Sequence, residues 1–119
     1  MSHKRAYAGS CHCGAVQFTA AVAPGAPLYR CNCSLCARKG ALILEVAPAD
    51  DLTVQQGWEA MSLYQWHTGV AKHYFCATCG IYTFHQRRID PNSYGVNPGC
   101  LEDFQLAAHT IEDVDGANE

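Results

Sequence analysis

Cys31-Asn32-Cys33-Ser34-Leu35-Cys36 puts three thiols within six residues, and sulfurs that crowded point to metal chemistry. If the chain enters this stretch as a strand, the side-chain period of two places Cys31 and Cys33 on one face, and a turn begun at Ser34 swings Cys36 to the same point. An ion held by three protein sulfurs keeps a fourth corner for water, a substrate or a distant side chain, the usual plan of catalytic rather than structural zinc. Ser34 suits a helix N-cap and Gly40 a C-terminal stop, so residues 35–39 are predicted as one helical turn whose first amides favour a nearby thiolate. Arg38 and Lys39 lie on that turn, either solvated or facing an acidic substrate.

Four further cysteines form two couples, Cys11-His12-Cys13 and Cys76-Ala77-Thr78-Cys79. The second, followed by Gly80, has the form of a zinc knuckle, in which a tight turn with positive φ at the glycine aims both sulfurs at one ion. Cys11 and Cys13, read as neighbours on one strand face, are its natural partners, and the resulting four-sulfur site is closed and structural. His12 then points away and is a surface residue. Cys100 is left over, with three roles open to it: a buried small hydrophobe, the fourth ligand of the three-cysteine site, or a reactive thiol. The proton that thiol chemistry must move has His73, His85, Tyr82 and a metal-bound water as candidate carriers.

The elements between these motifs read mainly as strands. Val16, Phe18, Ala20 and Val22 alternate on one face, Leu28-Tyr29-Arg30 leads into the three-cysteine cluster, and Ala41-Leu42-Ile43-Leu44-Glu45-Val46 is strongly apolar. Residues 52–57 form another short strand. Stretches 61–66 and 70–75 flank His67-Thr68-Gly69 as a hairpin that delivers Cys76, with Tyr64, Trp66, Tyr74 and Phe75 assigned to the core. Strands follow at 81–85, 94–97 and 107–111. The segment from Glu102 onward carries six acidic residues and no Lys or Arg, and is expected to be a solvated edge.

With 119 residues, eight cysteines and a formal net charge of −3, the chain is expected to be a single domain, residues 1–119, that gains from metal staples. Thiols spaced CxC and CxxC suit a metal better than disulfides. The Lys and Arg residues are scattered, which disfavours nucleic acid as a partner, and no apolar run reaches membrane-spanning length. The start has no signal-like apolar core, so a cytoplasmic location is expected, where thiols stay reduced.

Gly9-Ser10-Cys11-His12-Cys13-Gly14-Ala15-Val16, Cys31-Asn32-Cys33-Ser34-Leu35-Cys36, Phe75-Cys76-Ala77-Thr78-Cys79-Gly80, Val96-Asn97 with Cys100-Leu101, and Asp115-Gly116 together resemble the glutathione-dependent formaldehyde-activating family, which also includes centromere protein V. The resemblance implies a compact, mainly β fold of the Mss4-like type with one or two short helical turns at most. It also implies two zinc ions per chain: Cys11, Cys13, Cys76 and Cys79 match the structural ligands, and Cys31, Cys33 and Cys36 the catalytic ones. Arg88 matches a family arginine, although here Asp90-Pro91-Asn92-Ser93 follows where the family has an Asn-Pro pair and often glycines. The activity implied is that of a carbon–sulfur lyase of the S-hydroxymethylglutathione synthase kind, with glutathione or another thiol and a small aldehyde as partners. A non-catalytic zinc-binding scaffold and a thiol or metal carrier are the competing expectations; the oligomeric state is left open, a homodimer included.

Overall fold

The computed structural model describes residues 3–65 and 71–118. Its strands form two sheets. The smaller is antiparallel, with β1 (Arg5–Ser10), β2 (Gln17–Val22) and β5 (Leu52–Gln56) in the order β1-β2-β5. The larger runs β10-β3-β4-β9-β8-β7-β6, where β3 is Leu28–Cys31, β4 Ile43–Val46, β6 Met61–Tyr64, β7 Lys72–Cys76, β8 Tyr82–Gln86, β9 Tyr94–Val96 and β10 Ile111–Val114. A single α-helix among the described residues, α1 (Ser34–Lys39), follows β3. Every strand pair is antiparallel except β10 on β3, which is parallel.

The core lies where the two sheets face each other. The alternation expected in β2 holds: Val16, Phe18, Ala20 and Val22 are all buried. Phe18 meets Phe84 of β8 edge to face, with ring centroids 5.4 Å apart, and Leu28, Leu44, Val46 and Val96 fill the space around them. Trp58 adds a further edge contact to Phe84 at 5.8 Å. Aromatic contacts of this geometry each contribute about 0.5–1.5 kcal/mol beyond the area they bury.

Several expectations need correction. Residues 5–10 form β1, which the sequence reading did not assign, and Cys11 and Cys13 sit in the bend that follows it rather than on a strand face. The last strand is Ile111–Val114, because residues 106–108 make a 3-10 turn where a strand over 107–111 was predicted. The acidic segment is a solvated edge as expected, with β10 as the mostly exposed edge strand of the larger sheet. Arms β6 and β7 pair as the predicted hairpin, but Tyr64 is half exposed rather than part of the core. Trp66, His67-Thr68-Gly69 and Val70 lie outside the described residues. Among the described residues no helix is long and apolar enough to cross a membrane.

Candidate active site

The knuckle begins at the last residue of β7. Cys76 N–H donates to Ile81 O at 3.0 Å, and the Gly80 N–H closes the turn on Cys76 O at 2.8 Å, with Gly80 at φ 78° as that turn requires. The Cys11–Cys13 bend comes in from the end of β1. All four sulfurs lie within 4.8 Å of one another; Cys11 and Cys13 are 3.7 Å apart, Cys13 and Cys76 3.6 Å. A tetrahedron built on zinc–sulfur bonds of about 2.3 Å has edges of about 3.8 Å, so the cluster has the size and the soft donor set for that ion. Backbone N–H groups already face the sulfurs: Val16 donates to Cys11 Sγ at 3.3 Å and Cys79 to Cys76 Sγ at 3.5 Å. Backbone hydrogen bonds at Ile81 and Cys13 hold the Cys79 thiol down to about 6, which favours the thiolate that a metal takes.

Cys31 is the last residue of β3, Cys33 caps α1, and Cys36 stands in its first turn, so a strand end and a helix start converge. The cap is Cys33 rather than Ser34: its Sγ accepts the Cys36 N–H at 3.3 Å. Gly40 ends the helix at φ 66°, as expected. The three sulfurs lie within 4.8 Å of one another, and among the described residues no further Cys, His, Asp or Glu joins them. Burial, followed by the neighbouring Cys33, pushes the Cys36 thiol up to about 12. Three thiolates this close repel, so the donor set is one that a bound cation would stabilise. Cys100 belongs to neither cluster; it is buried, and its thiol donates to Tyr82 O at 3.6 Å.

Beside Cys36 the helix and β7–β8 bring together four polar side chains. Lys39 Nζ is 2.8 Å from His73 Nδ1 and 3.6 Å above the Tyr82 ring centroid. His73 and His85, directly opposite in the β7–β8 register, stack with centroids 4.8 Å apart. The Tyr82 hydroxyl donates its one proton to Gly95 O at 3.1 Å and so accepts from His85 Nδ1–H at 2.6 Å. Burial brings the Lys39 ammonium down to about 8. Burial, and then the Lys39 charge, hold His73 at about 4 and His85 at about 2, so both imidazoles are neutral. Tyr82 is raised well above its ordinary value by burial and remains a phenol. A charged Lys39 only donates, so His73 Nδ1 accepts and its proton sits on Nε2. Gly95 makes room for the arrangement: a β-carbon there would stand 2.4 Å from His85 Cε1.

Two clefts meet at the three-cysteine cluster. One, of about 610 Å³, is lined by Cys31, Cys33, Cys36, His73, His85 and Arg88 among others. The second, of about 510 Å³, touches Cys31 and Cys36 and is bordered by Arg30, Asp113 and Asp115. Among the described residues no carboxylate lines the larger cleft, whereas Arg87, Arg88 and two histidines do. Arg38 turns away and donates to Ser34 O on its own helix at 3.0 Å.

The sequence reading named His73, His85 and Tyr82 singly and missed that they act as one group with Lys39. Lys39 stands three residues beyond Cys36 on a helix, which puts both on one face, and that spacing was the available signal. The sequence reading named Asn32 and Gly116 only within the family motifs, without a role, and Gly95 only as part of a strand. Their importance rests on contacts between elements distant in the chain, which spacing does not reveal.

The fold and its clusters define a mainly β, Mss4-like protein with one four-thiol and one three-thiol group, each able to hold a metal ion. Residues 6–114 match the family described as glutathione-dependent formaldehyde-activating enzyme, and the chain belongs to that family. It is 35% identical over 78 residues to a Halomonas elongata protein provisionally named a glutathione-dependent formaldehyde-activating enzyme; the match takes in 60% of this chain and spans half the length of that relative. A crystal structure of a Rhodobacter sphaeroides protein superposes with a TM-score of 0.80 at 43% identity, covering 88% of this chain and 99% of that one.

Proposed function

We propose that this chain is a zinc-dependent cytoplasmic enzyme that joins glutathione or a similar thiol to a small aldehyde, formaldehyde foremost, and runs the reverse carbon–sulfur cleavage at the same site. The observation that carries the reading is the convergence of Cys31, Cys33 and Cys36 at the end of a cleft, without a fourth protein donor among the described residues. Zinc held by these three would supply Lewis acidity at its remaining position, lowering the pKa of an incoming thiol. Cys11, Cys13, Cys76 and Cys79 would hold a second, structural zinc.

In the forward direction a sulfur–carbon bond forms, the carbonyl π bond breaks, and the proton leaving sulfur ends on the new hydroxymethyl oxygen, so the reaction needs no net acid or base. The residues placed to carry that proton are Lys39 and His73, bonded to each other beside Cys36, with His73 lining the cleft. His85 and Tyr82 hold His73 in place by stacking and by their bond to each other. Arg88 at the cleft wall offers a cation to a carboxylate of the thiol substrate.

The test is the rate of adduct formation and exchange between formaldehyde and glutathione, followed by NMR with and without zinc-loaded protein. Acceleration by the wild type, lost in Cys33→Ser while that variant stays folded with one zinc, is expected. A rate unchanged across thiols and aldehydes would overturn the enzyme reading in favour of a zinc-binding scaffold.

A further inference from the structure

Cys31 owes its place in the sheet to a distant segment. Pairing of β3 with β4 covers only Leu28 and Tyr29, whereas Arg30 and Cys31 pair with Asp113 and Val114 of β10. The next residue, Asn32, is bonded to the same segment three times. Its N–H donates to Val114 O at 3.2 Å, its Nδ2 to the Asp115 carboxylate at 2.9 Å, and its Oδ1 accepts the Ala117 N–H at 2.9 Å. The result is that Gly116 lies directly against the cluster. A β-carbon on it would stand 2.5 Å from Cys31 Sγ and 3.5 Å from Cys33 Cβ, closer to the sulfur than a side chain can come. Gly116 has no positive φ, so a glycine is needed there for close approach and not for backbone conformation. Val114, Gly116 and Ala117 line the larger cleft, and Val114 and Asp115 the smaller one, so this segment is the partition between them.

We propose that Asn32 and Gly116 are positioning residues of the three-cysteine site. The Asn32 bonds press residues 114–117 onto Cys31, hold its sulfur towards Cys33 and Cys36, and leave the cluster facing the larger cleft, the one all three cysteines line. The inference rests on the metal-binding part of the proposed function and is independent of which thiol or aldehyde reacts. Arg30 and Asp113 form an exposed ion pair across the same two strands, a contact of a kind that contributes little by itself. The backbone ladder holds β10 itself on β3, and the Asn32 side-chain bonds fasten the residues beyond the strand, Asp115 to Ala117.

Gly116→Ala and Asn32→Ala test this, with zinc affinity read by competition against a chromophoric chelator and geometry read from the visible absorption of the cobalt(II)-substituted protein. Both variants should keep the four-thiol ion and bind the second ion about ten- to a hundredfold more weakly, as loss of supporting contacts does at other metal sites, with altered cobalt bands. In metal-free protein, iodoacetamide should alkylate Cys31 faster in Asn32→Ala than in the wild type. Second-ion affinity within twofold of wild type, unchanged cobalt bands and an unchanged Cys31 alkylation rate would overturn the proposal. Should Gly116→Ala fail to fold, Asn32→Ala decides alone, because its side chain is exposed. A wild type that binds no second ion would defeat the metal reading of this cluster, and Cys31 alkylation would then decide the positioning role.

Discussion

Cys76→Ser and Cys33→Ser should differ in what they do to stability, and the difference can be worked from where the sulfurs sit. The four-thiol cluster joins Cys13 to Cys76 across 63 positions of the chain. A cross-link closing a loop of that length lowers the entropy of the unfolded chain by an amount equivalent to about 4 kcal/mol at 25 °C, when treated like a disulfide. The three-cysteine cluster closes only the short loop from Cys31 to Cys36, for which the same relation gives about 2 kcal/mol. A domain of this size has a total stability of about 6–18 kcal/mol, so the first loss is a large share of it. Cys76 is also fully buried at the end of β7, and a serine hydroxyl there faces sulfurs and backbone with no ion to replace its bonds. The expected outcome for zinc-loaded Cys76→Ser is one zinc per chain and a melting temperature lower by about 10–20 °C; for Cys33→Ser it is one zinc and about half that shift. Elemental analysis and thermal melts followed by far-ultraviolet circular dichroism read both quantities. If Cys33→Ser lost both ions, or melted below Cys76→Ser, the division into a staple and a working site would be refuted.

Gly95→Ala should push His85 off its place, because the new methyl group would lie 2.4 Å from His85 Cε1 and 2.7 Å from Ile43 Cγ2. A stability loss of about 1–3 kcal/mol and a roughly tenfold slower adduct exchange are expected, measured by urea unfolding and by the NMR assay; wild-type values in both would refute the packing argument. The buried histidines predict a pH dependence. Unfolding returns them to an ordinary value near 6.5 from about 4 for His73 and about 2 for His85. Between those limits the unfolded chain binds more protons, so stability is full above about pH 6.5 and falls with acidification by about 1.4 kcal/mol per pH unit for each histidine. Urea midpoints from pH 7.5 to 5 should show this slope, and His85→Phe should reduce it; an unaltered slope in that variant would contradict the burial argument.

The grouping of the cysteines was the most legible part of the chain, because thiols spaced to share one ion fall together whatever the elements around them. Strand β2 was legible for a related reason: one buried face forces Val16, Phe18, Ala20 and Val22 to alternate. Strand β1 was not, since Arg5, Ala6, Tyr7 and Ala8 lie on an edge and bury little. Strand β10 is mostly exposed and carries Glu112 and Asp113, so its membership in the sheet comes from backbone bonds to β3 and leaves no apolar trace. The Lys39–His73–His85–Tyr82 group joins a helix to a hairpin. Its members were visible one by one, but their meeting depends on the β7–β8 register and on how α1 leans on that pair.

The parallel union of β3 with β10 also sets an order of assembly. During synthesis the four-thiol staple has all its sulfurs once Cys79 has left the ribosome, and the three thiols of the cleft are available earlier still. Their partition must wait for a strand that lies 83 residues further on, so the four-thiol cluster can gather before the three-cysteine cleft has its last wall. A nascent chain would thus pass through an interval with the staple complete and Cys31 uncovered, in which a cation could reach the sulfurs from the side that Gly116 later closes.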